Sequence, residues 1–253
     1  MNHLRSLNKQ ENPQFHHRFR ELAEAYQRYS KAGGIDVKPY AHEDLPHFSL
    51  KSPEEQRQII EALEVNVRIC QQAEAHGDLR GDSPALVWQA LKEFGFRPPS
   101  DVFTHISKES IVEIHSPTGM QLFRNFNFYK YCSYTLEELY CGTWASLYER
   151  DLAFEASIME LSQRIYGGEI KSAVSYGLPV YMLQETSSEA KLEIRLEMQW
   201  VAPLFREKSS QAAATIAIES ATLLKSTRPQ VRGLMQQKVS LHSVEPGNQQ
   251  SPA

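Results

Sequence analysis

Lys191-Leu192-Glu193-Ile194-Arg195-Leu196-Glu197-Met198-Gln199-Trp200 alternates without a break between apolar and polar residues. Leu192, Ile194, Leu196, Met198 and Trp200 fall on one side of an extended chain, and Lys191, Glu193, Arg195, Glu197 and Gln199 on the other. Wound as a helix, the same residues would spread their apolar groups around the whole cylinder. The stretch therefore predicts a half-buried strand, and a strand requires a sheet. Upstream, Val174, Tyr176, Leu178, Val180 and Met182 alternate with smaller or polar residues, which predicts a neighbouring strand joined through a hairpin loop at Gln184–Ala190. Downstream, Pro203 and a polar loop end the strand. Ala212–Leu224 is a last apolar segment, strand or helix by pattern alone.

Further upstream the period changes. Asp151 caps a helix that runs to about Tyr166, with Leu152, Ile158, Leu161 and Ile165 apolar, and Gly167-Gly168 closes it. Thr135-Leu136-Glu137-Glu138-Leu139 has the spacing of a capping box, in which the first hydroxyl and the carboxylate three residues on satisfy each other's backbone N–H groups. Ile111–Ile114 and Met120–Phe126 flank the turn Pro117-Thr118-Gly119 and predict a hairpin. A hairpin, a helical crossover and a meander make one antiparallel sheet with helices on one face. The fold class is α+β.

Before Ser100 the chain reads as helices and linkers. Phe15, Phe19, Leu22, Ala23 and Tyr26 form the stripe of an amphipathic helix ended by Gly33-Gly34. A polar connector runs from Ile35 to Leu50. Ser52-Pro53-Glu54-Glu55 opens a second helix with Ile59, Ile60, Leu63, Val67 and Cys70 on one face. Ser83-Pro84 opens a third, stopped by Gly95 and Pro98-Pro99, and Asp101–Ile106 is one short further turn. The domain reading is a helical region over 1–100, a sheet domain over 107–224 and a disordered tail over 225–253. In that tail Lys225, Arg228, Arg232 and Lys238 make a diffuse positive end.

Composition narrows the function classes. Of 253 residues, 41% are hydrophobic and 23% charged, ordinary for a globular protein and too apolar for wholesale disorder. The net charge of -4 argues against a dedicated nucleic-acid coat, and no helix-turn-helix follows Leu224. No apolar window approaches a membrane span, and the polar N-terminus has no secretory h-region, so a cytoplasmic location is expected. Cys70, Cys132 and Cys141 form no C-x-x-C pair and are expected to be reduced thiols. His42-Glu43-Asp44-Leu45-Pro46-His47 gathers metal donors, but no further ligand stands at a recognised spacing, so a solvated loop is the expectation and no metal is assigned. His16 and His17 point to different helix faces. No nucleophile elbow, P-loop, dinucleotide fingerprint or H-E-x-x-H occurs, and no enzyme is expected.

Asn125-Phe126-Asn127-Phe128-Tyr129-Lys130-Tyr131-Cys132-Ser133-Tyr134-Thr135-Leu136-Glu137-Glu138-Leu139 resembles the PAS domain family. In that family an Asn ends the second strand, a small aromatic-anchored helix follows, and a Gly-Tyr-Ser/Thr-x-Glu-Glu-Leu segment caps the next helix. Ser133 stands where Gly is usual, and Gly142 is offset by one residue from the family's following glycine. Tyr148-Glu149-Arg150-Asp151 resembles the turn that opens the family's long helix, and Gly167-Gly168-Glu169 its end. The family's Arg-x-x-x-Lys-Asp-Gly hairpin is missing. Gln184-Glu185-Thr186-Ser187-Ser188 stands there instead.

The resemblance implies a sensing or docking module, with an apolar pocket between sheet and helices and a sheet face that dimerises or contacts a partner. The pocket residues it implies are Trp144, Leu147, Ile158, Leu161, Leu196 and Met198. Flavin-adduct chemistry is disfavoured, because Thr143-Trp144-Ala145-Ser146-Leu147 lacks the reactive Cys. His-ligated haem is disfavoured, because Asp151–Tyr166 holds no His. The cofactor is unknown. The aromatics between Phe123 and Tyr148 are expected mainly as core, with some lining the pocket. The expected function is that of a cytoplasmic signalling protein whose PAS-like domain binds a small ligand or a partner, acting as a homodimer or on a separate effector. The N-terminal helices serve that reading as a dimerisation or coupling element. Two alternatives stay open: a transcription regulator contacting DNA or polymerase through its helical region, and a small-molecule enzyme with an unrecognised site.

Overall fold

The computed structural model describes residues 12–77, 83–186 and 191–225. The tail expected to be disordered lies outside these, except for Lys225. The elements are α1 (Pro13–Ala32), α2 (Pro46–Ser49), α3 (Pro53–Ala75), α4 (Ser83–Glu93), β1 (Phe96–Arg97), α5 (Val102–His105), β2 (Ile111–His115), β3 (Gln121–Arg124), a 3-10 helix (Phe126–Tyr131), α6 (Leu136–Cys141), α7 (Trp144–Leu147), β4 (Tyr148–Glu149), α8 (Leu152–Tyr166), β5 (Val180–Glu185), β6 (Glu193–Arg206) and β7 (Ala212–Lys225). The class is α+β, helices with an antiparallel sheet. Strand order is β3-β2-β7-β6-β5-β4, with β1 on β6. Among the described residues no helix is long and apolar enough to cross a membrane.

The helix starts follow their local chemistry. Ser52 accepts from the Glu55 N–H while the Glu55 carboxylate accepts from Ser52. Thr135 and Glu138 make the same exchange, with the Thr135 N–H 2.7 Å from Glu138 Oε2. Asp151 Oδ1 accepts from the Ala153 N–H at 2.8 Å and starts α8. Asn125 closes the β2–β3 hairpin as its side chain accepts from the Val112 N–H and donates to the Ser110 carbonyl. Gly142 ends α6 where nothing larger fits. A Cβ there would stand 2.8 Å from the Glu138 carbonyl oxygen and 2.9 Å from Leu147. Gly142→Ala is therefore expected to destabilise the fold by about 1–3 kcal/mol, read from the urea midpoint.

The sheet is covered on both faces, not on one as the sequence predicts. Val112, Ile114, Trp200, Ala202, Leu204, Ile216 and Ile218 share one buried cluster with Phe19, Leu22 and Tyr26 of α1, Leu63 and Val67 of α3 and Leu91 of α4. The apolar faces of the first hundred residues thus lie against the sheet's outer face. On the inner face, Ile111, Tyr181, Leu183, Ile194 and Leu196 pack with Phe128, Tyr134, Leu147 and Tyr148. Beside them, Ile165 of α8 packs with Val201, Ala212 and Ala217.

Three strand expectations change. Residues 174–179 precede the strand, apart from a single bridge between Val174 and Val201, and β5 begins at Val180. Its buried residues are Tyr181, Leu183 and Glu185, while Val180 and Met182 are exposed. The face is opposite to the predicted one because a slip of one residue inverts every side chain. Within β6 the register shifts between Met198 and Trp200. Gln199 is the extra residue of that bulge, so Trp200 turns to the outer face, away from Leu196. Pro203 does not end the strand. β6 runs on to Arg206, and Pro203 lies between the stretches paired with β5 and β1, where its missing N–H costs no ladder bond. The segment 212–225, open between strand and helix by pattern, is β7.

The connector 35–50 is also more than a solvated loop. Val37, Leu45 and Phe48 are buried. Leu45, at φ 49°, gives α2 no side-chain cap. Glu137 supplies it from α6: its Oε1 accepts from the His47 and Phe48 N–H groups at 2.8 and 3.1 Å. Burial pushes the Glu137 carboxyl up, and the two N–H groups oppose that. Of the acidic pair, Glu138 caps its own helix and Glu137 holds the connector.

Candidate functional site

Alternation places four polar residues on the inner sheet face. Glu113 lies between Val112 and Ile114, both of which face the outer helices, so its side chain points inward. Arg124 on β3 is its direct cross-strand partner, and Ala217 on β7 is its partner on the other side. Glu219, two residues beyond Ala217, occupies the same face opposite Ile111. Tyr181 reaches it from β5. Each is buried: Glu113 and Arg124 are 5% exposed, Glu219 3% and Tyr181 8%.

The contacts tie them into one cluster. Arg124 Nε stands 3.0 Å from Glu113 Oε1, which accepts from Gln121 Nε2 at 2.9 Å. His115 Nε2 is 3.7 Å from Glu113 Oε2. The Arg124 guanidinium lies 3.5 Å from the Phe128 ring centroid and 5.2 Å from that of Trp144, a cation–π stack. Its Nε and Nη2 are both buried and make no hydrogen bond among the described residues, so the Nε–Glu113 contact is an ion pair without hydrogen-bond geometry. The Tyr181 hydroxyl donates to Glu219 Oε1 at 3.1 Å, and its ring stacks on Phe154 of α8 at 3.6 Å between centroids. Trp144 and Tyr148 meet at 4.6 Å, and the Tyr148 hydroxyl lies 3.3 Å from Cys132 Sγ.

Electrostatics follow from burial. Desolvation, then the neighbouring Glu113 charge, push the Glu219 carboxyl up to about 8, against the opposing pull of Tyr181 and Arg124. Burial thus favours its protonated form. Burial opposes the Arg124 charge, yet Glu113 and the nearby tyrosines leave its pKa raised, so it stays a cation. Burial lowers His115, opposed by Glu113 and reinforced by Arg124. All three cysteines are free and buried, and burial pushes the Cys132 thiol up to about 12, which leaves it a poor nucleophile.

A raised carboxyl binds a proton in the native state that the unfolded chain releases. The stabilisation linked to Glu219 is thus fully present below about pH 4.5 and is lost as pH rises through about 8. Unfolding free energy is expected to fall across that window, by at most about 1.4 kcal/mol per pH unit from this group. Glu219→Gln should flatten the decline. Urea unfolding of both proteins from pH 5 to 9 measures it. Parallel profiles would show that Glu219 is not the titrating group.

The pocket residues expected from sequence divide around this cluster. Trp144, Leu147 and Leu196 belong to its aromatic side with Tyr148 and Tyr181. Leu161 and Met198 lie on the other side, with Ile165 and Val201. Ile158 is half-buried on α8 and belongs to neither group. The polar residues between the two were not anticipated. A single charged residue in a short strand reads as facing water when one sheet face is taken to be open. The available signal was Ile111-Val112-Glu113-Ile114, apolar on both alternating faces, as in a strand buried on both sides.

Ser133 donates through its N–H and hydroxyl to the Glu185 carboxylate, which also accepts from the Leu192 N–H. The end of the 3-10 segment is thereby tied to β5. Among the described residues no group of three or more His, Cys, Asp or Glu could hold a metal. Of the stretch His42–His47, the His47 N–H donates to Glu137. No protein-family model matches this chain, and a search of the curated proteins returns no match.

Proposed function

We propose that the chain is a cytoplasmic signalling protein built on a PAS-like sensing and docking module. A small molecule or a partner changes the inner face of the sheet, and the change reaches a homodimer contact or a separate effector. The observation that carries this reading is the buried cluster of Glu113, Arg124, Tyr181 and Glu219 beneath a helical cover. A fold that needed only stability gains little from such a set, since well-packed apolar groups serve as well or better. The PAS-like part is supported by connectivity. The β2–β3 hairpin is followed by a crossover through α6, α7 and α8 and then by the meander β5–β6–β7, whose last strand returns beside β2. The Asn125 and Thr135–Glu138 contacts support it at the residues that carry the resemblance.

The mechanism is non-covalent and no catalytic residue is assigned. α1, α3 and α4 lie on the opposite face of the same strands. A shift of β2 or β7 on the inner side therefore moves the surface those helices rest on, which gives them a coupling role. The test is to denature the purified full chain, identify any released small molecule by mass spectrometry, and measure copy number by light scattering with and without it. A stoichiometric molecule that survives incubation unchanged and alters the copy number supports the reading. Conversion to a product would favour an enzyme. Absence of any bound molecule together with a fixed copy number would contradict the proposal.

A further inference from the structure

We infer that the inner-face cluster seats an uncharged small molecule through a carbonyl-type acceptor placed on Arg124, an inference that rests on the sensing reading above. Arg124, 5% exposed, carries two buried donors, Nε and Nη2, that make no hydrogen bond among the described residues; Nε lies against Glu113 as an ion pair, and Nη2 meets no acceptor. A buried donor left unmade is costly, and more so on a charged group. What the site lacks is an acceptor.

Charge balance selects the kind of acceptor. Glu113, 3.0 Å from Nε, already neutralises the guanidinium, and a second carboxyl, Glu219, shares the same face. With Glu219 protonated, an anionic ligand would place a second negative charge, beside Glu113, against one cation in a buried site. A cationic ligand would leave Nη2 unmet and oppose Arg124, whose face already lies on Phe128. An uncharged carbonyl or amide oxygen meets the donor and leaves the charge balance intact. The protonated state of Glu219 fits this choice, because its carboxyl can also donate to or accept from a neutral amide.

The surroundings suit a planar body. Trp144, Tyr148 and the Tyr181–Phe154 stack together form the aromatic side of the cluster. The cover is light. Of the described side chains on α8 only Ile165 is fully buried, and Met159 is 58% exposed. An element with so few buried contacts opens at small cost.

Three probes of matched shape and different charge test the inference: benzamide, benzoate and benzylamine, titrated at pH 7 into the full chain and followed by saturation-transfer NMR and by the Trp144 indole signal. Benzamide is expected to bind at least about tenfold tighter than either charged probe, the worth of one hydrogen bond. That preference should vanish in the Arg124→Met/Glu113→Gln double variant, which removes both charges together; circular dichroism checks its fold. Benzamide binding unchanged in the double variant would overturn the inference, as would failure of all three probes to bind. Preference for benzoate or benzylamine with a shift at Trp144 would overturn the ligand class while leaving the sensing reading intact. The sensing reading itself fails only on the released-molecule and copy-number result above.

Discussion

Arg124→Met is expected to destabilise the protein by roughly 3–5 kcal/mol, because it removes the cation from a buried ion pair and leaves Glu113 unneutralised inside the fold. The side chain is 5% exposed and its partner equally so. Methionine keeps most of the volume and the contact with Phe128, so the loss is electrostatic rather than a packing defect. Glu113→Gln alone should also be costly, since it strands the guanidinium. The double variant should recover at least about 1 kcal/mol relative to the sum of the two singles. Urea unfolding of the four proteins measures the cycle. Additive losses would mean that the pair is not coupled and that Arg124 acts only through its contacts with Phe128 and Trp144.

The second large effect belongs to the other face. Trp200 is 1% exposed, stacks on His105 at 5.2 Å between centroids, and lies in the cluster shared by the sheet and α1, α3 and α4. Trp200→Ala is expected to cost about 3–5 kcal/mol, the transfer of a large aromatic plus the cavity it leaves. Because that cluster joins the N-terminal helices to the sheet, hydrogen exchange should quicken in α1 and α3 together with β6 and β7. If the sheet alone loosens, the helices are held by something other than this packing.

The signals legible in the sequence were those set by neighbours within a few residues. Capping pairs such as Ser52 with Glu55 and Thr135 with Glu138 need only a spacing of three. Facing was harder. Whether Val180 or Tyr181 points inward depends on the pairing with β6, and no local signal fixes a register that a slip of one residue inverts. The perfect alternation through Trp200 hid the bulge at Gln199, where the strand trades regularity for a tryptophan on the outer core. The candidate site was lost by the same route. Glu113, Arg124 and Glu219 each stand as an isolated charge among mostly apolar strand neighbours. They read as solvent-facing until α1, α3 and α4 are known to cover the back of the sheet. Trp144, Leu147 and Leu196, which the PAS resemblance implied as pocket residues, lie on the aromatic side of the cluster.

Native mass spectrometry of the full chain beside its Arg124→Met/Glu113→Gln variant decides whether the inner face is a binding site. A wild-type protein that carries the added mass of a small molecule, released on gentle activation and missing from the folded variant, is the expected result. A wild-type spectrum that holds only the mass of the bare chain, identical in behaviour to the variant, would contradict it.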